Sequence, residues 1–143
     1  MFSLHPRLAE DTFVVGDLPL CRVLLMNDSQ YPWLILVPRE ENLRELHQLS
    51  WASQQQFLRE SNLAASLLEQ LFRAEKLNLA ALGNMVPQLH FHHIARFQDD
   101  PAWPGPVWGA RPRVAYEPSL RDERLAVLKE AFTEESEGSF VIA

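Results

Sequence analysis

Apolar and polar positions alternate in short blocks over the first third of the chain. Thr12 to Val15 is a β-branched and aromatic run that stops at Gly16-Asp17, and Cys21 to Met26 is a second such run. Asn27-Asp28-Ser29-Gln30 has turn chemistry. Trp33 to Val37, between Pro32 and Pro38, is apolar at every position, as expected of a strand covered on both faces. Links this short predict antiparallel pairing.

After Pro38 the period lengthens. Leu43, Leu46 and Leu49 predict a helical turn or two over Glu40 to Leu49. Ser50 then stands as an N-cap before Trp51 to Glu75, a stretch without Gly or Pro. Its Phe57, Leu58, Ala64, Leu67, Leu68, Leu71 and Phe72 follow a 3.6-residue stripe, which predicts a helix lying on a sheet face. Strands are predicted over Leu77 to Leu82, ending at Gly83-Asn84, and over Leu89 to Phe97. A final helix over 119–133 has Ser119 as its N-cap and Leu125, Leu128 and Phe132 on one face, with the tail from Glu134 fraying. Strands, helices, strands and a helix in that order predict an α+β fold on an antiparallel sheet, as a single domain over 1–143.

Between these elements lies a Pro/Trp-rich loop over 98–118. It holds five of the ten prolines, two glycines, and both Trp103 and Trp108. A loop of that length is commonly functional, and two indoles in it predict that it docks against something.

Composition narrows the classes of function. The chain has 143 residues, 47% of them hydrophobic and 22% charged, so it can build a core without metal or disulfide staples. Thirteen Lys and Arg against 19 Asp and Glu give a formal charge of -6, a poor balance for binding nucleic-acid polymers. A single cysteine, Cys21, rules out an internal disulfide. No apolar stretch has the length of a signal peptide core or a membrane span, so a cytoplasmic location without membrane contact is expected.

Three of the five histidines sit within Gln88-Leu89-His90-Phe91-His92-His93-Ile94-Ala95-Arg96. Strand alternation puts Gln88, His90, His92 and Arg96 on one face and His93 on the core side. Imidazole is nucleophilic and titrates near neutrality, and a second imidazole two residues on can serve a leaving group. Arg96 is a candidate anion holder. One histidine alone is more often an ordinary strand residue; two on one face beside an aromatic loop favour chemistry, while His5 and His47 read as ordinary. A metal bound by His90 and His92 needs a third ligand from Asp99, Asp100 or elsewhere, and no motif supplies one, so neither metal nor cofactor is expected.

At this stretch the sequence resembles the histidine triad (HIT) family, named for His-φ-His-φ-His-φ-φ with φ apolar. The matching residues are Gln88-Leu89-His90-Phe91-His92-His93-Ile94, the lead-in Gly83-Asn84-Met85-Val86-Pro87, and the upstream Pro32-Trp33-Leu34-Ile35-Leu36-Val37-Pro38. The resemblance covers roughly Asp11 to Gly109. It implies an antiparallel sheet of about five strands with packed helices, commonly as a homodimer. It also implies double-displacement chemistry at a nucleotide α-phosphate. His90 would be the nucleophile that forms a nucleotidyl-histidine, and His92 would contact phosphate or leaving group. Asn84 would hold phosphate, and Asn27 or Asp28 would bind ribose. Two positions depart from the family. Gln88 replaces the first histidine, keeping a hydrogen-bonding side chain that could orient His90 but cannot titrate. Trp33 replaces an upstream histidine, which removes a polar contact and adds bulk.

The leading expectation is therefore a hydrolase or transferase acting on dinucleoside polyphosphates or nucleoside phosphoramidates, with catalytic His90, His92 and Gln88. The alternative on the same fold is a catalytically weak nucleotide-binding or regulatory protein. An interaction module docking through Trp103 and Trp108 is a third reading.

Overall fold

A computed structural model describes all residues from Met1 to Ala143. Six strands form one sheet in the order β4-β5-β3-β2-β1-β6, and every pairing is antiparallel. The strands are β1 (Thr12–Asp17), β2 (Cys21–Met26), β3 (Trp33–Pro38), β4 (Lys76–Ala80), β5 (Phe91–Arg96) and β6 (Val141–Ile142). Three α-helices, α1 (Pro6–Asp11), α2 (Trp51–Phe72) and α3 (Pro118–Glu135), complete the α+β fold. No helix is long and apolar enough to cross a membrane.

The unbroken apolar run of β3 has a direct cause. All six of its residues are buried, because β2 and β5 flank it and both of its faces are covered. On one face Leu34 and Leu36 pack with Val23, Leu25 and Ala95 beneath α2 and α3. On the other, Trp33, Ile35 and Val37 pack with Leu24 and Ile94 beneath Leu8, Val86 and Val107. Each such fully buried aliphatic side chain stabilises the fold by roughly 1.5–3 kcal/mol relative to exposure.

The long helix begins where its sequence requires: Ser50 Oγ accepts a hydrogen bond from the Ser53 amide at 3.1 Å. It ends at Arg73 in the left-handed region, whose N–H returns to Glu69. One polar residue on its buried face has a defined task. Glu60 accepts from the amides of Leu20 at 2.8 Å and Cys21 at 2.7 Å, satisfying the turn between β1 and β2. Burial, followed by the charge of Glu60, pushes the Cys21 thiol up, so it stays protonated. Glu60→Leu is expected to cost roughly 1–3 kcal/mol by leaving both amides unpaired. A lowered urea midpoint with an unchanged slope is the corresponding measurement.

Several elements differ from the sequence reading. Glu40 to Leu49 contains only a single 3-10 turn, Leu46–Gln48. Asn42 takes a φ of 57°, which interrupts any helix, and Leu43 and Leu49 are buried as separate anchors. β4 and β5 are shorter than expected, so Gln88 and His90 precede the strand. The last helix starts one residue early, with Pro118 in its first turn and Glu117, not Ser119, as N-cap. The tail is ordered: Phe140 stacks on Phe132, and β6 pairs with β1 to make the sixth strand. Gly16 permits this close approach, since a Cβ there would fall on the Phe140 ring and the Val141 carbonyl.

Candidate functional site

The sheet face opposite α2 carries His92, with His90 beside it. His92 sits in β5 opposite Ile35 of β3, on the same face as Trp33 and Ile94. His90 lies just before β5, and its ring centroid is 5.0 Å from that of His92. Both line a cleft of about 290 Å³ with Met26, residues 82–86 and Trp108. Gly83, at a φ of +78°, makes the turn that carries this wall. His93 points to the helix side, as alternation predicts, where its Nε2 meets Ser61 Oγ at 2.7 Å.

Hydrogen bonds fix the proton on each imidazole. His90 Nδ1 is 2.7 Å from the Gln88 main-chain carbonyl, which can only accept. Nδ1 therefore carries the proton, and Nε2 keeps its lone pair. His92 is the mirror case: Trp33 Nε1–H donates to its Nδ1 at 3.0 Å, so its proton sits on Nε2. Burial, and secondarily neighbouring His5, outweigh the Gln88 bond and lower the His90 pKa below its ordinary value. Burial, then His90 and His93, lower that of His92 to about 3. Near neutral pH the pair is one bare nitrogen and one fixed N–H donor.

Gln88 plays a different part from the one its side chain suggested. Its main-chain carbonyl, not its amide, orients His90. The side chain turns toward the N-terminal arm, accepting from the His5 amide at 2.8 Å and donating to the Ser3 carbonyl at 2.9 Å. A larger cleft of about 650 Å³ lies on that side, between Met1–Ser3, His5, residues 41–44 and Gln88.

The remaining candidates separate. Asn84 is exposed on the cleft wall, and its side chain makes no hydrogen bond within the chain. Asn27 and Asp28 do not line that cleft. Asn27 Oδ1 accepts from the Tyr116 amide at 2.9 Å, and Asp28 Oδ1 accepts from Gln30 and, at 3.5 Å, from the Val114 amide. Arg96 is not free to hold an anion: its side chain is 2% exposed, paired with Asp100 at 2.8 Å and donating to Asn78. No group of three or more His, Cys, Asp or Glu side chains converges where a metal could bind.

Two residues that the sequence singled out take contacts it did not specify. Trp33 does not remove a polar contact; it supplies one, to His92. Trp108 docks on the site itself, edge-on to both His92 at 5.1 Å and Trp33 at 6.2 Å. The aromatic content of the loop was the available signal for Trp108; its target was not encoded locally.

A family model described as HIT domain matches residues 7–99. A histidine triad protein from Marinobacter aquaeolei VT8 is 51% identical, with a TM-score of 0.91 over 94% of this chain and 98% of its own. Histidine triad proteins from Bradyrhizobium japonicum and Sinorhizobium meliloti 1021 are 44% and 42% identical, each with a TM-score of 0.89. These two cover 91% and 92% of this chain and 97% of their own chains. No curated protein matches the chain.

Proposed function

The chain belongs to the histidine triad (HIT) family, and from that premise we propose that it is a nucleotide hydrolase or nucleotidyl transferase acting at an α-phosphate through a covalent nucleotidyl-His90. The observation that carries this reading is the 2.7 Å bond that ties His90 Nδ1 to the Gln88 carbonyl and leaves Nε2 unengaged in the cleft. The same bond stabilises the positive charge the ring acquires when Nε2 attacks phosphorus. His92 Nε2–H and the free amide of Asn84 are donors for the phosphate oxygens. The cleft, at about 290 Å³, is at the small end of ligand sites and suits the reacting phosphates. Asn27 and Asp28 each commit one oxygen to the chain's own hydrogen bonds, which leaves Asn27 Nδ2 and Asp28 Oδ2 for ribose.

Dinucleoside polyphosphates and nucleoside phosphoramidates are the candidate substrates. A homodimer belongs to the same reading, supported by the outer edge of β4, which has no strand partner and exposes Leu79. The alternative on the same fold is nucleotide binding with weak turnover, and the Gln88 side chain, committed to the N-terminal arm, is the position at which the two readings are compared.

The test is to trap the intermediate. A substrate labelled at its α-phosphate should transfer label to His90, detected after denaturation under alkaline conditions. Binding without label transfer would favour the alternative. A pH profile gives an independent check. Because the His90 pKa is lowered, the bare nucleophile persists to more acidic pH. The acid limb of kcat/KM should then have its midpoint below about 6.5, the ordinary imidazole value. A midpoint at or above that value would count against His90 as nucleophile.

A further inference from the structure

Trp33 sets what His92 can do chemically. An indole N–H only donates, and this one is 3.0 Å from His92 Nδ1 in a buried setting. For His92 to become an imidazolium, Nδ1 would also need a proton, and two N–H donors would then face each other. The surroundings offer no compensation. His90 stands at 5.0 Å and Trp108 at 5.1 Å between ring centroids, and His93 lies across the sheet against Ser61. No carboxylate is hydrogen-bonded to the ring.

Resting on the nucleotidyl-transfer reading of His90, we infer that Trp33 is a specificity-determining residue: by holding His92 as a hydrogen-bond donor that cannot release a proton, it makes the site select leaving groups that depart as stable anions, phosphates of an anhydride, over amines. The chemistry balances for the anhydride. The His90 Nε2 lone pair forms an N–P bond as the P–O bond breaks, and the electron pair leaves on a phosphate oxygen. A phosphate gives up its second proton near pH 6, so the departing group needs none at neutral pH. His92 Nε2–H supports the developing charge and keeps its proton. Water then attacks phosphorus, the N–P electron pair returns to Nε2, and the proton of water passes to solvent.

An amine leaving group needs what this cleft lacks. Breaking its P–N bond requires a proton on nitrogen, and amines hold protons up to about pH 10. Apart from the two imidazoles, the cleft wall consists of apolar side chains, Gly83, the Asn84 amide and Trp108, whose unpartnered indole N–H can donate a hydrogen bond but not give up its proton near neutral pH. His5 lines the other cleft, beyond Gln88, and its Nδ1 accepts from the Arg7 amide.

Two measurements on the full chain test this. Nitrogen-15 NMR reads the His92 tautomer directly, and turnover is compared for a dinucleoside tetraphosphate and a nucleoside 5′-phosphoramidate. His92 should stay neutral and Nε2-protonated from about pH 5 to about pH 9. The anhydride should be favoured by about 10³-fold or more in kcat/KM, the scale of a missing general acid. Trp33→Phe, which lacks the donor, should let His92 protonate at higher pH and narrow that preference; wild-type measurements alone decide the matter if the variant fails to fold. Protonation of wild-type His92 above about pH 6 would overturn the inference and leave transfer at His90 standing. Phosphoramidate turnover that depends on His90 and comes within about tenfold of the anhydride would do the same. Turnover of neither substrate would overturn the transfer reading and the leaving-group preference together.

Discussion

Replacing His90 with alanine is expected to lower kcat/KM for nucleotidyl transfer by roughly 10⁴ to 10⁶ and to abolish label transfer to the protein. The size follows from the role. Without Nε2 there is no atom in the cleft to take the phosphoryl centre, since His92 presents an N–H there and Asn84 an amide. His92→Ala should cost less, about 10² to 10³, the scale of one lost donor to developing charge. Gln88→His is expected to change the rate by about tenfold or less, because the bond that orients His90 comes from the main chain. The fold should tolerate His90→Ala, as the ring lies on a cleft wall and outside both hydrophobic clusters. Equal rates for wild type and His90→Ala would remove the nucleophile assignment. A thousandfold gain from Gln88→His would instead favour binding as the natural role.

The second large effect is on stability. Asp100→Ala is expected to destabilise the protein by roughly 3–5 kcal/mol, the cost of stranding a buried charge. Arg96 and Asp100 side chains are 2% and 4% exposed, with Arg96 Nε and Nη2 donating to the two carboxylate oxygens at 2.8 and 3.0 Å. The carboxylate also accepts from the amides of Phe97, Ala102 and Trp103, so it organises the start of the loop that carries Trp108. Burial alone would raise the Asp100 pKa, but Arg96 and the Phe97 and Ala102 amides hold it down to about 2. A depressed carboxylate pKa contributes stability that is fully present above the unfolded value near 3.9 and is lost as pH falls toward about 2. Denaturant midpoints measured through that window should fall in wild type and respond less in Asp100→Ala. A midpoint for Asp100→Ala close to wild type at neutral pH would show the pair to be dispensable.

Local periodicity determined a good deal of this protein. The stripe from Phe57 to Leu68 and the cap at Ser50 dictate α2, because helix geometry repeats within four residues. The apolar run of β3 between two prolines announces a central strand, and alternation around His92 puts it on one face and His93 on the other, toward the core. The histidine spacing and its flanking segments pointed to the family. Only the tertiary structure decided the rest. Trp33 and His92 are 59 residues apart, Gln88 and His5 are 83 apart, and Asn27 and Tyr116 are 89 apart. Each partnership changes a side chain's role: it fixes a tautomer, turns an amide toward the N-terminal arm, or occupies an expected ribose contact. The tail from Phe140 likewise became a strand only because Gly16 leaves room beside β1. Hydrogen-bond partners across such separations are selected by how the sheet brings distant segments together, and the pattern along the chain records which residues are buried without recording what they meet.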